Sequence, residues 1–167
     1  MSENYIVING KKAELTQEQL EALGIEVKKP NNPFEMGEED SEYYFINSWG
    51  CTVKATMCKE NSSDLRHRVA NYCTDESLLL QQAYRETLNR LLWRFSMEHD
   101  GDKIDWANGN TNKHYIFYGH NDKTWKIDCN QYYQRFAIVY FNSGKIAEQA
   151  IEEVVKPFMA SHPDFKL

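Results

Sequence analysis

Residues 114–156 read HYIFYGHNDKTWKIDCNQYYQRFAIVYFNSGKIAEQAIEEVVK, and the change of period inside this stretch decides the fold. Aromatic and β-branched residues over 115–118 predict a strand. His120-Asn121-Asp122-Lys123 predicts the turn, and 124–129 the returning strand. A third strand is expected over 135–141, apolar from Phe136 through Phe141. Ser143 then stands where a helix N-cap belongs. Ile146, Ala147, Ala150, Ile151, Val154 and Val155 follow at helical spacing, and Pro157 predicts a stop near Lys156. Hairpin, strand and amphipathic helix in that order predict an α+β fold, with helices covering a mostly antiparallel sheet.

Upstream the same order recurs. Residues 43–46 predict a strand, 47–50 a turn, 51–56 a second strand, 59–64 a polar loop and 66–73 a short third strand. Thr74 is the expected cap of a helix running to about His99, with Asp75 and Glu76 at its positive end. Leu80, Tyr84, Leu88, Leu91 and Phe95 form one stripe on it, expected to face a sheet. Arg66 aligns with Arg135, Tyr72 with Phe141 and Thr74 with Ser143 at one offset, and 43–46 with 115–118 at a slightly larger one. The main domain, 43–167, is therefore expected to hold two pseudo-repeated halves, 43–99 and 114–158, with a binding cleft at their junction. Ahead of it, residues 5–8 and 11–15 predict a hairpin around Asn9-Gly10. Thr16 caps a helix over 17–23, ended by Gly24. This appendage, 1–29, is joined by a linker at 30–42.

Composition bounds the chemistry. The 167 residues are 41% hydrophobic, 26% charged and 13% aromatic, which excludes disordered and fibrous classes. The longest apolar run is far short of a membrane span, and MSENYIVING has no signal-peptide pattern, so a cytoplasmic protein is expected. Cys51, Cys58, Cys73 and Cys129 form no CxxC pair, so neither a metal nor a cofactor is expected. No HExxH, GxSxG or phosphate-loop pattern occurs, and His120 beside Asp122 reads as a solvated turn, so no catalytic residue is assigned.

Charge is uneven. Of the net −6, the short segment 30–42 carries Glu35, Glu38, Glu39, Asp40 and Glu42 with no base, while 43–167 is neutral. Those five acids form either a solvated loop or a docking loop for a basic partner. Tyr43 and Tyr132, each from a tyrosine pair, are candidate interface anchors. Five of the six arginines, Arg66, Arg68, Arg85, Arg90 and Arg94, lie in a stretch without lysine and are candidates for nucleic-acid binding.

The segments YIVINGKKAELTQEQLEALGI, Asn32-Pro33-Phe34-Glu35, EYYFI, NYCTDES and IVYFNSGKIAEQAIEEV, in this order, resemble small accessory proteins of phages and prophages of low-GC Gram-positive bacteria. Cys73 replaces an aromatic residue of that pattern, and Gly144-Lys145 replace acidic ones. The resemblance implies a non-enzymatic antagonist of host defence, anti-CRISPR-like, whose partner is a host protein such as a CRISPR effector nuclease. The alternative partner is nucleic acid; no membrane partner is expected.

Overall fold

The computed structural model describes residues 5–8, 11–14, 19, 22–24, 32–58 and 61–166. The fold is α+β, with two compact units, Met1–Leu80 and Gln81–Leu167.

In the first unit, β1 (Tyr5–Ile8) pairs antiparallel with β2 (Lys11–Glu14), Ile8 opposite Lys11. Asn9-Gly10 and the Thr16 cap lie outside the described residues. Gly24 has φ +67, the left-handed value expected after a helix. Next, β3 (Glu42–Ile46) pairs with β4 (Thr52–Thr56), Ile46 opposite Thr52. Their turn is closed by Asn47, whose Oδ1 accepts from the Trp49 and Cys51 amides at 2.9 and 3.0 Å. Gly50 supplies the positive φ, +80.

Where a loop at 59–64 and a strand from Arg66 are expected, the described residues form α1, Asn61–Arg68, while 59–60 lie outside the described residues. Three polar residues in a row, Arg66-His67-Arg68, break the alternation a half-buried strand needs, and the cations Arg66 and Arg68 suit the C-terminal end of the helix dipole. What remains of the third strand is one antiparallel bridge. The Tyr44 amide donates to the Cys73 carbonyl at 2.7 Å, and the reverse bond is 3.0 Å. Burial raises the Cys73 thiol pKa. The core of this unit is Tyr43, Met57 and Tyr72, flanked by Phe45 and Ala55.

Residues 32–41, expected as a solvated linker, are a strap bonded along this unit. The Thr74 amide donates to the Pro33 carbonyl (2.8 Å), and the Gly37 amide to the Tyr72 hydroxyl (2.9 Å). The Asp40 amide donates to the Met57 carbonyl (3.0 Å).

The long helix α2, Glu76–Glu98, has the expected extent. Its cap is Asp75 rather than Thr74. Asp75 Oδ1 accepts from the Ser77 hydroxyl and amide and from the Leu78 amide, at 2.8, 2.9 and 3.1 Å, and these bonds hold its carboxyl below the ordinary value. The Thr74 hydroxyl turns instead to the Pro33 carbonyl. Asp75→Ala is expected to cost about 1 kcal/mol, read as a lower urea midpoint; Thr74→Ala should cost less. Equal losses would reassign the cap.

In the second unit, β5 (Lys113–Gly119) is central, between β6 (Thr124–Asn130) and β7 (Tyr140–Phe141), all antiparallel. The expected strand from Arg135 is thus confined to its last two residues. Ala137 takes φ +60, a value rare for a residue with a side chain, and it breaks the extended run. Arg66 and Arg135, equivalent in the expected duplication, therefore sit on a helix and in a loop.

Ser143 caps α3 (Gly144–Ala150), accepting from the Ile146 amide at 3.3 Å. The expected stop before Pro157 does not occur. A π turn at Ile151–Val155 leads straight into α4, Lys156–Ser161. The Lys156 amide bonds the Ile151 carbonyl, one residue wider than an α turn. The wider register places the proline in the first turn of α4.

The α2 stripe meets more than a sheet. Tyr84, Leu88 and Leu91 pack with Val155, Phe158 and Phe165 of the C-terminal helices and tail. Leu92 and Phe95 join Phe141, Ala147, Ala150 and the sheet residues Ile116 and Ile127. His114 is half-buried on β5, and burial lowers its pKa. The folded state then favours neutral imidazole, so stability is complete above the ordinary histidine value, about 6.5. It declines as pH falls through that value, because the unfolded chain protonates first. His114→Gln is expected to flatten the fall in urea midpoint below neutral pH; an unchanged slope would assign it elsewhere. Among the described residues no helix is long and apolar enough to cross a membrane.

Candidate interaction surface

Side-chain alternation gives the three-stranded sheet two faces. Ile116, Trp125 and Ile127 pack toward the helices. Lys113, Tyr115, Phe117, Lys126 and Asp128 therefore belong to the other face, which carries an aromatic ladder. Trp106 meets Tyr140 edge-on at 5.0 Å, Tyr140 meets Tyr115 at 5.7 Å, and Tyr115 lies 6.4 Å from Phe117. The Arg135 guanidinium sits 5.1 Å from the Tyr115 ring and 5.7 Å from the Tyr133 ring. The Tyr132 ring passes beside Gly109.

Much of this ladder is open. Tyr115 and Tyr140 are buried, but Phe117 is 40% exposed, Trp106 42%, Tyr133 55% and Tyr132 81%. Phe136, next to Arg135 in the chain, is fully exposed at 100%. Isolated exposed apolar residues need no explanation, whereas a connected set does.

Two polar devices hold the rings. Tyr115 donates its hydroxyl to Asp128 Oδ2 at 2.8 Å. This bond raises the tyrosine pKa and lowers that of Asp128. Lys113 is 1% exposed, and its ammonium donates to the Asn108 carbonyl (2.6 Å) and the Gln131 carbonyl (3.1 Å). One buried cation thereby ties the loop bearing Trp106 to the loop bearing Tyr132, Tyr133 and Arg135. The Tyr140 hydroxyl adds a bond from the Arg135 amide at 2.9 Å. Rings held this way lose little rotamer freedom on binding.

Of the residues singled out in the sequence, Tyr132 lies on this surface. Tyr43 does not present a docking side chain. It is 0% exposed, stacked on Tyr72 at 4.7 Å, and its hydroxyl accepts from Arg66 Nη1 at 2.6 Å. Glu35, Glu38, Glu39 and Asp40 are exposed along the strap of the first unit. Glu42 sits on β3 in an ion pair with Lys54 at 2.7 Å, which lowers its pKa.

The arginines do not form one face. Arg66 covers the Phe45 ring at 3.6 Å, and Arg68 is exposed at the end of α1. Arg90 pairs with Glu86 (3.4 Å) and Arg94 with Glu98 (3.8 Å). Arg85 lies about 140–180° around α2 from both. In the turn, Asp122 is engaged by Lys126 rather than His120. The sequence reading missed Trp106, Lys113, Phe117, Arg135 and Phe136; Tyr133 belongs to the tyrosine pair it singled out. The signal available was QYYQRF at 131–136, rich in the residue types that anchor interfaces.

Comparison with protein-family models, curated proteins and solved structures finds no match to this chain.

Proposed function

We propose that this chain is a non-enzymatic binding protein that docks a protein partner on the aromatic face of the β5–β6–β7 sheet. The connected ladder of Trp106, Phe117, Tyr133 and Arg135, exposed yet fixed by Lys113 and Tyr140, carries the reading. Tryptophan, tyrosine and arginine are the residues that dominate binding energy at protein interfaces. The partner class follows from the resemblance: a host defence protein, such as a CRISPR effector nuclease, met in the bacterial cytoplasm, with inhibition as the outcome. Such effectors carry basic channels. The outward acids Glu35, Glu38, Glu39 and Asp40 supply opposite charge for steering.

The test is affinity capture from host lysate with the tagged chain, with and without nuclease treatment. Beside it runs the double variant Phe117→Ser/Tyr133→Ser, checked for an unchanged melting curve. A defence protein retained after nuclease treatment and lost with the double variant is the expected result. Capture that the double variant leaves intact overturns the assignment of the face. Capture that vanishes with nuclease replaces the protein by nucleic acid. Bases would then stack on Phe117 and on the Arg135–Tyr133 pair, and binding would fall steeply with salt.

A further inference from the structure

Strand β6 is the outer strand of its sheet, and among the described residues no strand pairs with its outer edge. Cys129 shows which groups that edge presents. Its amide donates to the Asp128 carboxylate at 2.7 Å rather than across to β5. Alternation then turns the N–H and C=O groups of Trp125, Ile127 and Cys129 outward, and those of the even residues toward β5. An open edge of this length is a template for another strand. On the helix side there is room beside it. A groove of about 430 Å³ is bordered by Thr124, Trp125 and Ile127 on one wall and Glu148, Ile151 and Glu152 on the other. Ile151 and Glu152 come from the π turn, a rare feature that often marks working surfaces.

The sequence of the strand, Thr124-Trp-Lys-Ile-Asp-Cys-Asn130, is its own complement. We propose that two copies of this chain pair through antiparallel β6 edges, about a two-fold axis at Ile127. Outward-facing residues must oppose outward-facing residues, so the axis passes through a residue rather than between two. With the axis at Ile127, all seven residues of each strand face a partner residue, and the Cys129 amide exchanges the Asp128 carboxylate for the carbonyl of Trp125 of the partner subunit. Lys126, which engages Asp122 in the single chain, then faces Asp128 of the partner subunit, and the reciprocal pair repeats it. Trp125 faces Cys129 of the partner subunit, and Thr124 faces Asn130 of the partner subunit. An axis at Lys126 or Asp128 sets a charged residue against its own copy. An axis at Trp125 leaves most of the strand unpaired. Charge and pairing length therefore select the same register, and the contact is isologous and closed.

Sedimentation velocity of the full chain, from micromolar to sub-millimolar concentration, tests this. The expected result is a mass rising toward that of two chains. Lys126→Asp and Asp128→Lys should each weaken association about tenfold or more, because each places like charges opposite each other twice per dimer. The combination of both substitutions should restore it. Asp128 also accepts the Tyr115 hydroxyl, so Asp128→Asn, which keeps an acceptor, is run as well and should weaken association less than Asp128→Lys. A single-chain mass throughout, association indifferent to both single variants, or failure of the combined variant to recover would each overturn the proposal.

Discussion

Tyr43→Ala is expected to cost about 3–5 kcal/mol, the loss typical of deleting a large ring from a packed core. The ring is 0% exposed, and among the described residues Met57 and Tyr72 are the remaining buried members of its cluster. The substitution also strands two polar partners. Ser63 Oγ lies 3.3 Å and Arg66 Nη1 2.6 Å from the hydroxyl. Tyr43→Phe separates the effects. It keeps the stack on Tyr72 and removes only these bonds, for about 1–3 kcal/mol. Urea unfolding gives the totals. Amide exchange over Glu42–Ile46 and Thr52–Thr56 shows where the loss falls. A Tyr43→Ala cost below about 1 kcal/mol would mean that the ring is not the centre of this core.

Lys113→Ala is expected to cost about 3 kcal/mol, combining a lost aliphatic stem with two carbonyls deprived of a charged donor. Lys113→Met keeps the stem and loses the donor, so it should fall between wild type and alanine. The more specific consequence lies in the loops. With the cation gone, the carbonyls of Asn108 and Gln131 no longer share a partner. Amide exchange should accelerate over 105–112 and 131–137 while the β5–β6 pairing stays protected. Partner capture should weaken with it, because the rings of the proposed docking face would no longer be pre-positioned. Unchanged exchange in both loops would refute the clamp.

Much of the fold is legible in the chain because local chemistry and tertiary packing agree there. The turn at 47–50 carries Asn and Gly where the backbone needs them, and β3 and β4 follow. Ser143 caps its helix as its position predicts. Where local signals are weak or two-sided, reading fails. Residues 61–68 hold one aliphatic residue, Leu65, and no stripe; α1 is placed by Ser63 and Arg66 bonding to Tyr43. The apolar run at 136–141 looks like a buried strand, yet Phe136 is exposed and only Tyr140 and Phe141 pair. Proline rules assume regular α turns, and the π turn removes that premise.

The candidate site is less legible still. Alternation says that one of Tyr43 and Tyr44 points inward without saying which, and the structure buries Tyr43 and leaves Tyr44 half-exposed. Tyr132 and Tyr133 lie outside any strand, so alternation does not apply, and both are exposed. The face itself is assembled from Trp106, Phe117, Tyr133 and Arg135, which come from three separate stretches of the chain and meet through the sheet and the Lys113 bonds.

Hydrogen–deuterium exchange of the captured complex, compared with the chain alone, tests whether the proposed partner docks on this face. New protection is expected over 105–119 and 131–137, with the rest of the second unit unchanged. Protection confined to the acidic strap at 35–40 or to the arginines of α1 and α2, with the aromatic loops exchanging as in the isolated chain, would contradict it.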